Sequence, residues 1–321
     1  MLRTAVIVFW GMCLNALLQA TSIAQTYPVK PIRYIVPSTG GSEIIGRLIA
    51  QGLSQTVGQQ VFVDLRPGAA TNLGAEIAAK SPADGYTLLQ VTQSHTVNVS
   101  LFRSLSYDLL RDFSPISKVD VTPMIVVVHP SFPAKGMQDL VKLARARPGE
   151  INYGSAGVGT STYLATELFK SMAKVNLVEV PYRGGAPAQT AVVAGEVLVY
   201  FAPIATAMPF VRDKRLRLLG ISTTARLPHL ADVPTVAEQG FPGYEASNWH
   251  GVVAPAKTPR EIIAALNKAA VTAIQQPDLA KRMRDLGYTI IGDSPEAFAE
   301  FIKADIEKWR VVVKQKGITA D

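Results

Sequence analysis

Apolar runs of strand length alternate with segments of helical period along almost the whole chain, and this alternation restricts the fold more than any other feature. Ile32-Arg33-Tyr34-Ile35-Val36 reads as a strand. Ile44 to Val57 follows, with Ile44, Ile45, Leu48, Ile49 and Leu53 near helical spacing. Val61 to Val63, Leu73 to Lys80 and Thr87 to Val91 continue the series as strand, helix and strand. A second series starts after Pro123: strand Met124 to Val128, helix Leu140 to Ala146, strand Ile151 to Tyr153, helix Tyr163 to Met172, strand Val178 to Val180, helix Pro187 to Ala194 and strand Val197 to Phe201, closed by Leu216 to Ile221. Alternation of this kind argues for a parallel sheet with helices on both faces. The chain is therefore expected to be an α/β protein of two lobes. Residues 25–123 and 254–321 are assigned to the first lobe and residues 124–253 to the second. No flexible linker separates them, so the chain is expected to cross between lobes on strands, with Met124 to His129 and Trp249 to Pro255 as the crossings. Two helix starts are marked by capping signals: Thr258-Pro259-Arg260-Glu261 as a capping box, and Ser294-Pro295-Glu296 before the last helix.

The N-terminal residues have the pattern of a secretory signal. Arg3 supplies a positive start, Ala5 to Leu18 an apolar stretch, and Ser22-Ile23-Ala24 a small-x-small cleavage site. Residues 1–24 are expected to be removed, leaving an exported, periplasmic product that begins at Gln25. Cys13, the only cysteine, lies inside that stretch, so no disulfide, thiolate nucleophile or cysteine metal cage is expected after cleavage. Hydrophobic residues make up 48% and charged residues 18%, as in ordinary globular proteins. The net charge of +7 is scattered rather than gathered into a stripe with aromatics, which argues against nucleic acid and for a field that favours anions.

Three turns that follow strands are rich in hydrogen-bond donors. The first contains Ser38, Thr39, Gly40, Gly41 and Ser42. The second runs through Ser155, Ala156, Gly157, Gly159, Thr160 and Ser161, and the third is Tyr182, Arg183, Gly184 and Gly185. Glycine lets the backbone approach a ligand, and a helix N-terminus favours an anion. Open α/β sheets bind ligands at the carboxyl ends of their strands, so these residues are the candidate ligand site. Thr160 stands where a P-loop would carry lysine. Catalysis has little support: Tyr153 replaces the first glycine of a nucleophile elbow around Ser155, and His95, His129, His229 and His250 make no metal-binding pair. No catalytic residue, metal or cofactor is expected. The enzymatic alternative is a hydrolase using Ser155 with His250 across the cleft. Trp249, beside the expected return crossing, is expected to report lobe closure by its emission, and Trp309 to report little.

Several segments, taken together, resemble the solute receptors of tripartite tricarboxylate transporters, the Bug family. They are Tyr27-Pro28-Val29-Lys30-Pro31-Ile32, Arg66-Pro67-Gly68-Ala69-Ala70, Ala83-Asp84-Gly85-Tyr86-Thr87-Leu88-Leu89, Asn152-Tyr153-Gly154-Ser155-Ala156-Gly157, Val180-Pro181-Tyr182-Arg183-Gly184-Gly185-Ala186-Pro187 and Asp232-Val233-Pro234-Thr235-Val236-Ala237-Glu238. The resemblance implies a type II periplasmic-binding-protein fold that closes on its ligand. It implies a small carboxylate as ligand: a di- or tricarboxylate, an acidic amino acid or an aromatic acid. It also implies delivery to a two-subunit membrane permease, with a membrane sensor kinase as the alternative partner, and a monomer is expected. Two departures stand out. The family's first turn resembles P-F-x-P-G-G-x-x-D, whereas Pro37-Ser38-Thr39-Gly40-Gly41-Ser42-Glu43 is about two residues shorter and lacks the aspartate. Phe201-Ala202-Pro203-Ile204 lacks the acidic or amide residue often found there.

Overall fold

The computed structural model describes residues 27–227 and 230–316. The expected signal sequence and His229 lie outside the described residues. The first series folds as β1 (Ile32–Val36), α1 (Gly41–Val57), β2 (Val61–Leu65), α2 (Asn72–Ala79), β3 (Thr87–Thr92) and α3 (Gln93–Leu101). A long strand, β4 (Phe113–Val128), leads to α4 (Met137–Ala146), β5 (Asn152–Ser155), α5 (Ser161–Ala173), β6 (Val178–Pro181), α6 (Gly185–Ala194), β7 (Val199–Pro203), α7 (Ile204–Arg212) and β8 (Arg217–Ile221). The chain then returns through β9 (Ser247–Pro255), α8 (Arg260–Gln275), α9 (Pro277–Asp285), β10 (Thr289–Ile290) and α10 (Pro295–Lys316).

The strands form one curled sheet in the order β2-β1-β3-β9-β4-β7-β5-β6, with β8 and β10 also on β4. The expected α/β fold with two lobes is what is seen. β1, β2 and β3 run parallel, as do β5, β6 and β7, because a helix connects each successive pair. β4 belongs to both halves: Phe113 to Pro123 pair with β9, whereas Met124 to Val128 pair with β7. β9 pairs with β3 and β4 and not with the second half. Residues 247–253, expected in the second lobe, therefore lie in the first, and the return crossing falls at Ala246 to Ser247 rather than along Trp249 to Pro255. Ala246 still bonds Ser222 in the second half.

Each half buries a core on both faces of its sheet. The helices supply the facing stripes. α4, for example, buries Met137, Leu140, Val141 and Ala144, one face of a 3.6-residue period. Each large apolar side chain so buried contributes roughly 1.5–3 kcal/mol. β9 passes beneath α10 so closely that any side chain at Gly251 would overlap the Phe298 ring. Ser294 caps α10 as expected, accepting the Ala297 N–H at 3.2 Å. The Thr258 capping box does not form: its hydroxyl donates to Pro255 O at 2.7 Å and the helix starts one residue later, with Pro259 at the cap.

A fifth apolar cluster joins the two halves. Val97 and Leu101 of α3 and Trp309 and Val313 of α10 meet Tyr163 and Leu164 of α5.

Candidate ligand-binding site

The carboxyl ends of β1, β3, β5 and β7 face one cleft, and the helices that follow them begin at its wall. A small inner cavity of about 30 Å³ takes residues from five helix starts: Gly41 and Ser42 of α1, Thr92 and Ser94 at α3, Thr160, Ser161 and Thr162 at α5, Gly185 of α6, and Pro203 and Thr206 at α7. Each start carries unpaired backbone N–H groups and the positive end of a helix dipole. No charged side chain lines this cavity. It opens into an outer cleft of about 540 Å³ walled by Pro37, the loop Pro67 to Thr71, and Gly157, Tyr182, Arg183 and Gly184. Ser38, Thr71, Ala156 and Thr160 border both spaces.

Of the residues expected from sequence, Ser38, Thr39, Gly41, Ser42, Ala156, Thr160, Ser161 and Gly185 line the inner cavity, and Gly157, Tyr182, Arg183 and Gly184 line the outer cleft. Gly40 instead forms the contact between lobes, where a Cβ would stand 3.2 Å from Ala186 N. Gly159 packs under α3, with Asn98 Oδ1 2.7 Å from where its Cβ would be. Ser155 is fully buried; its hydroxyl donates to Glu179 Oε1 and accepts the Gly157 N–H at 3.0 Å, so it holds the turn from behind. Burial, with Glu167 adding like charge, pushes the Glu179 carboxyl above its ordinary value. The structure does not bring Ser155 to His250, as the hydrolase alternative requires. His250 Nε2 stands 3.2 Å from Ser42 Oγ and its Nδ1 3.0 Å from Asp120 Oδ1.

Several cavity hydroxyls are spent within the fold. Thr160 Oγ1 donates to Gly157 O at 2.6 Å, and Thr162 Oγ1 accepts the Ala156 N–H at 2.8 Å. Three polar atoms of lining residues are not: Thr39 Oγ1, Thr71 Oγ1 and Asn248 Oδ1 are buried and have no partner among the described residues. Native proteins pair the large majority of buried polar groups. Thr71 ends a run of left-handed residues, Ala69 (φ 47°), Ala70 (φ 51°) and Thr71 (φ 80°), a conformation costing about 1–3 kcal/mol per residue. Asn98 Nδ2 holds this loop through Ala70 O at 2.8 Å.

The sequence reading missed Thr71, Thr92, Ser94, Thr162, Tyr200, Pro203, Thr206 and Asn248 as cavity residues. Thr92-Gln93-Ser94 had a readable signal, hydroxyls between a strand and a helix, but no glycine to mark it. No group of metal-ligating side chains occurs among the described residues.

The profile of the tripartite tricarboxylate transporter family receptors matches residues 45–318. The chain belongs to this receptor family. Its members are solute-binding receptors rather than enzymes. The receptor is 34% identical to the protein BugT of Bordetella pertussis over 92% of this chain and 91% of that one. It is similar to R. palustris Rpa4515, solved with adipate, at a TM-score of 0.88 and 34% identity over 91% of this chain and 99% of that one. It is also similar to MatC of Rhodopseudomonas palustris, solved with bound malate, at a TM-score of 0.85 and 30% identity over 89% of this chain and all of that one, at 100%. The type II periplasmic-binding-protein fold implied by the sequence agrees with these neighbours.

Proposed function

We propose that this receptor binds a small organic carboxylate in the periplasm and delivers it to a two-subunit permease of the tripartite tricarboxylate type. The observation that carries the reading is the convergence of five helix starts on a cavity without charged side chains, with the unpartnered hydroxyls of Thr39 and Thr71 on lining residues. Such a site solvates an anion with fixed dipoles and hydroxyls, and a neutral ligand would leave those donors underused. A space of about 10–15 Å³ holds a water-sized group, so the inner cavity suits one carboxylate head and the outer cleft the remainder of the molecule. A second carboxylate on a chain long enough to leave the inner cavity would meet the field of exposed Arg183, worth no more than about 1 kcal/mol in water. The adipate and malate of the two solved relatives fit this class. Export, with cleavage near Ala24, and hinge motion of residues 27–123 and 247–316 against 124–246 complete the proposal.

The test is native mass spectrometry of ligand carried through purification, followed by calorimetry with adipate, malate, citrate, glutamate and benzoate beside their amides and a neutral sugar. Binding of acids and not of amides is expected, with little dependence on salt between 50 and 500 mM NaCl, concentrations chosen to bracket strong screening of exposed charges at roughly 8–10 Å. Tight binding of an amide or sugar, with every acid silent, would end the carboxylate reading.

A further inference from the structure

A chain of buried polar groups runs inward from the cavity wall. Asn248 of β9 lines the cavity and is 5% exposed. Its Nδ2 lies 3.1 Å from His250 Nε2, and its Oδ1 has no partner among the described residues. His250, 1% exposed, reaches Asp120 through Nδ1, at 3.0 and 3.1 Å from the two carboxyl oxygens. Asp120 is fully buried; Thr122 Oγ1 also donates to it at 2.7 Å, beside the contact from His250 Nδ1. Two other titratable groups face this chain, Tyr34 of β1 and Tyr288 before β10. Burial, reinforced by Asp120, holds both phenols far above their ordinary value, so they stay neutral. Tyr288 Oη donates to Gly41 O at 3.1 Å and Tyr34 Oη to Gln90 Oε1 at 3.2 Å.

The amide of Asn248 has two ends, and His250 decides which one faces the ligand. With Nδ1–H on Asp120, a neutral imidazole offers a lone pair at Nε2. That lone pair accepts the Asn248 Nδ2–H and turns Oδ1 toward the cavity. An oxygen in that position repels a carboxylate. Once Nε2 is protonated it becomes a donor, its favourable partner is Oδ1, and a half turn of the amide presents NH₂ to the cavity instead.

We propose that a carboxylate enters this site together with one proton, taken from solvent by His250 Nε2. Asn248 is then the specificity-determining residue and His250 its positioning residue. No covalent bond between heavy atoms changes. The added proton offsets the charge of the one carboxylate head held in the inner cavity, which matters where water is scarce. Ser42 Oγ, 3.2 Å from the same Nε2, is a second acceptor for the new N–H. The inference rests on the carboxylate reading above and adds the proton to it.

The test is calorimetry of adipate, malate and the other acids of the panel from pH 5.5 to 8.5, a span around the range in which imidazole ordinarily titrates, in buffers of low and high ionisation enthalpy. The expected result is a buffer-dependent enthalpy corresponding to uptake of about one proton at the alkaline end, where affinity falls about tenfold per pH unit. His250→Gln should bind with neither effect. Asn248→Leu leaves the His250–Asp120 pair in place and should lose the proton uptake as well, which separates the proposal from mere misfolding of the histidine variant. Binding by the wild type with a flat pH profile and buffer-independent heat overturns this inference while sparing the carboxylate reading, as does wild-type proton uptake in His250→Gln. Silence of every acid at every pH overturns both.

Discussion

Thr39 of the first lobe stands directly against Gly184 of the second, so that a Cβ added at Gly184 would overlap the Thr39 hydroxyl. Gly184 also has φ 108°, a backbone that only glycine adopts freely. The neighbouring pair repeats the arrangement, with the Gly40 Cβ position 3.2 Å from Ala186 N. Small residues on both sides let the two lobes meet beside the cavity.

Gly184→Val should hold the lobes apart. Overpacking a tight contact costs about 1–3 kcal/mol, and this part of the cost falls on the form in which the lobes meet, while the strained φ at Gly184 burdens the free protein as well, so ligand affinity should drop roughly 5- to 150-fold. Small-angle scattering of the liganded variant should show a larger radius of gyration than the liganded wild type. Equal affinity and equal radius would mean that this contact does not govern closure.

Thr39 and Ser155 should separate binding from folding. Thr39 Oγ1 has no partner within the fold among the described residues. Thr39→Val should therefore leave the stability of the free protein within about 0.5 kcal/mol and weaken binding by roughly 0.5–1.5 kcal/mol. Ser155→Ala removes the hydroxyl that bridges Glu179 and the Gly157 N–H. It should cost about 1–3 kcal/mol in urea unfolding, with a smaller direct effect on ligand contact. The reverse pattern would place Ser155 at the ligand after all.

This contrast shows where the sequence was legible. The period of Ile44 to Leu53, or of Leu164, Leu168 and Met172, identifies a helix because one face must be apolar whatever it packs against. Glycine turns after strands likewise pointed to Ser38, Thr39, Gly41, Ser42, Thr160 and Gly185, which line the cavity. Whether a hydroxyl in such a turn faces ligand or carboxylate depends on a strand far away in sequence, and Ser155 meets Glu179 only because β5 pairs with β6. Asn248 was invisible for a similar reason: a single polar residue in a strand carries no period. The first turn, shorter than the family pattern and without its aspartate, still lines the inner cavity, since backbone and hydroxyl groups form the wall there.

His95 should make the protein less stable in mild acid. It is fully buried, its Nδ1 accepts the Thr92 N–H at 3.0 Å in a capping box, and burial pushes its imidazole from 6.5 down to about 4. Between those values the unfolded chain takes up a proton that the folded one refuses. The stabilisation is therefore complete above about pH 6.5 and is lost as pH falls toward 4, by roughly 3 kcal/mol at most. His95→Gln retains a capping-box side chain without the titration. Urea unfolding of the two proteins at pH 7 and pH 4.5 isolates the histidine. Asp293 and Asp305, whose carboxyls burial raises, act in the opposite sense in both proteins and cancel in the comparison. An unchanged difference between wild type and variant across this range would remove His95 from the account.

Trp309, rather than Trp249, should report closure. Trp249 lies in the first-lobe core, at 5.8 Å and 5.2 Å from the ring centroids of Phe298 and Phe301, and donates to Asp305 Oδ2 at 3.1 Å. None of these partners belongs to the second lobe, so lobe motion leaves its surroundings intact, contrary to the expectation from its place in the sequence. Trp309 sits in the apolar cluster that joins α3 and α10 to α5 across the cleft, and it is only 4% exposed. Separation of Tyr163 and Leu164 from that cluster would bring water to the indole. Ligand should therefore shift emission to shorter wavelength in the wild type and in Trp249→Phe, and Trp309→Phe should lose the shift. Stopped-flow recording of the same signal would then give the closing rate, expected on the microsecond to millisecond scale of domain motions. A ligand-induced shift that survives in Trp309→Phe and vanishes in Trp249→Phe would place the moving boundary inside the first lobe instead.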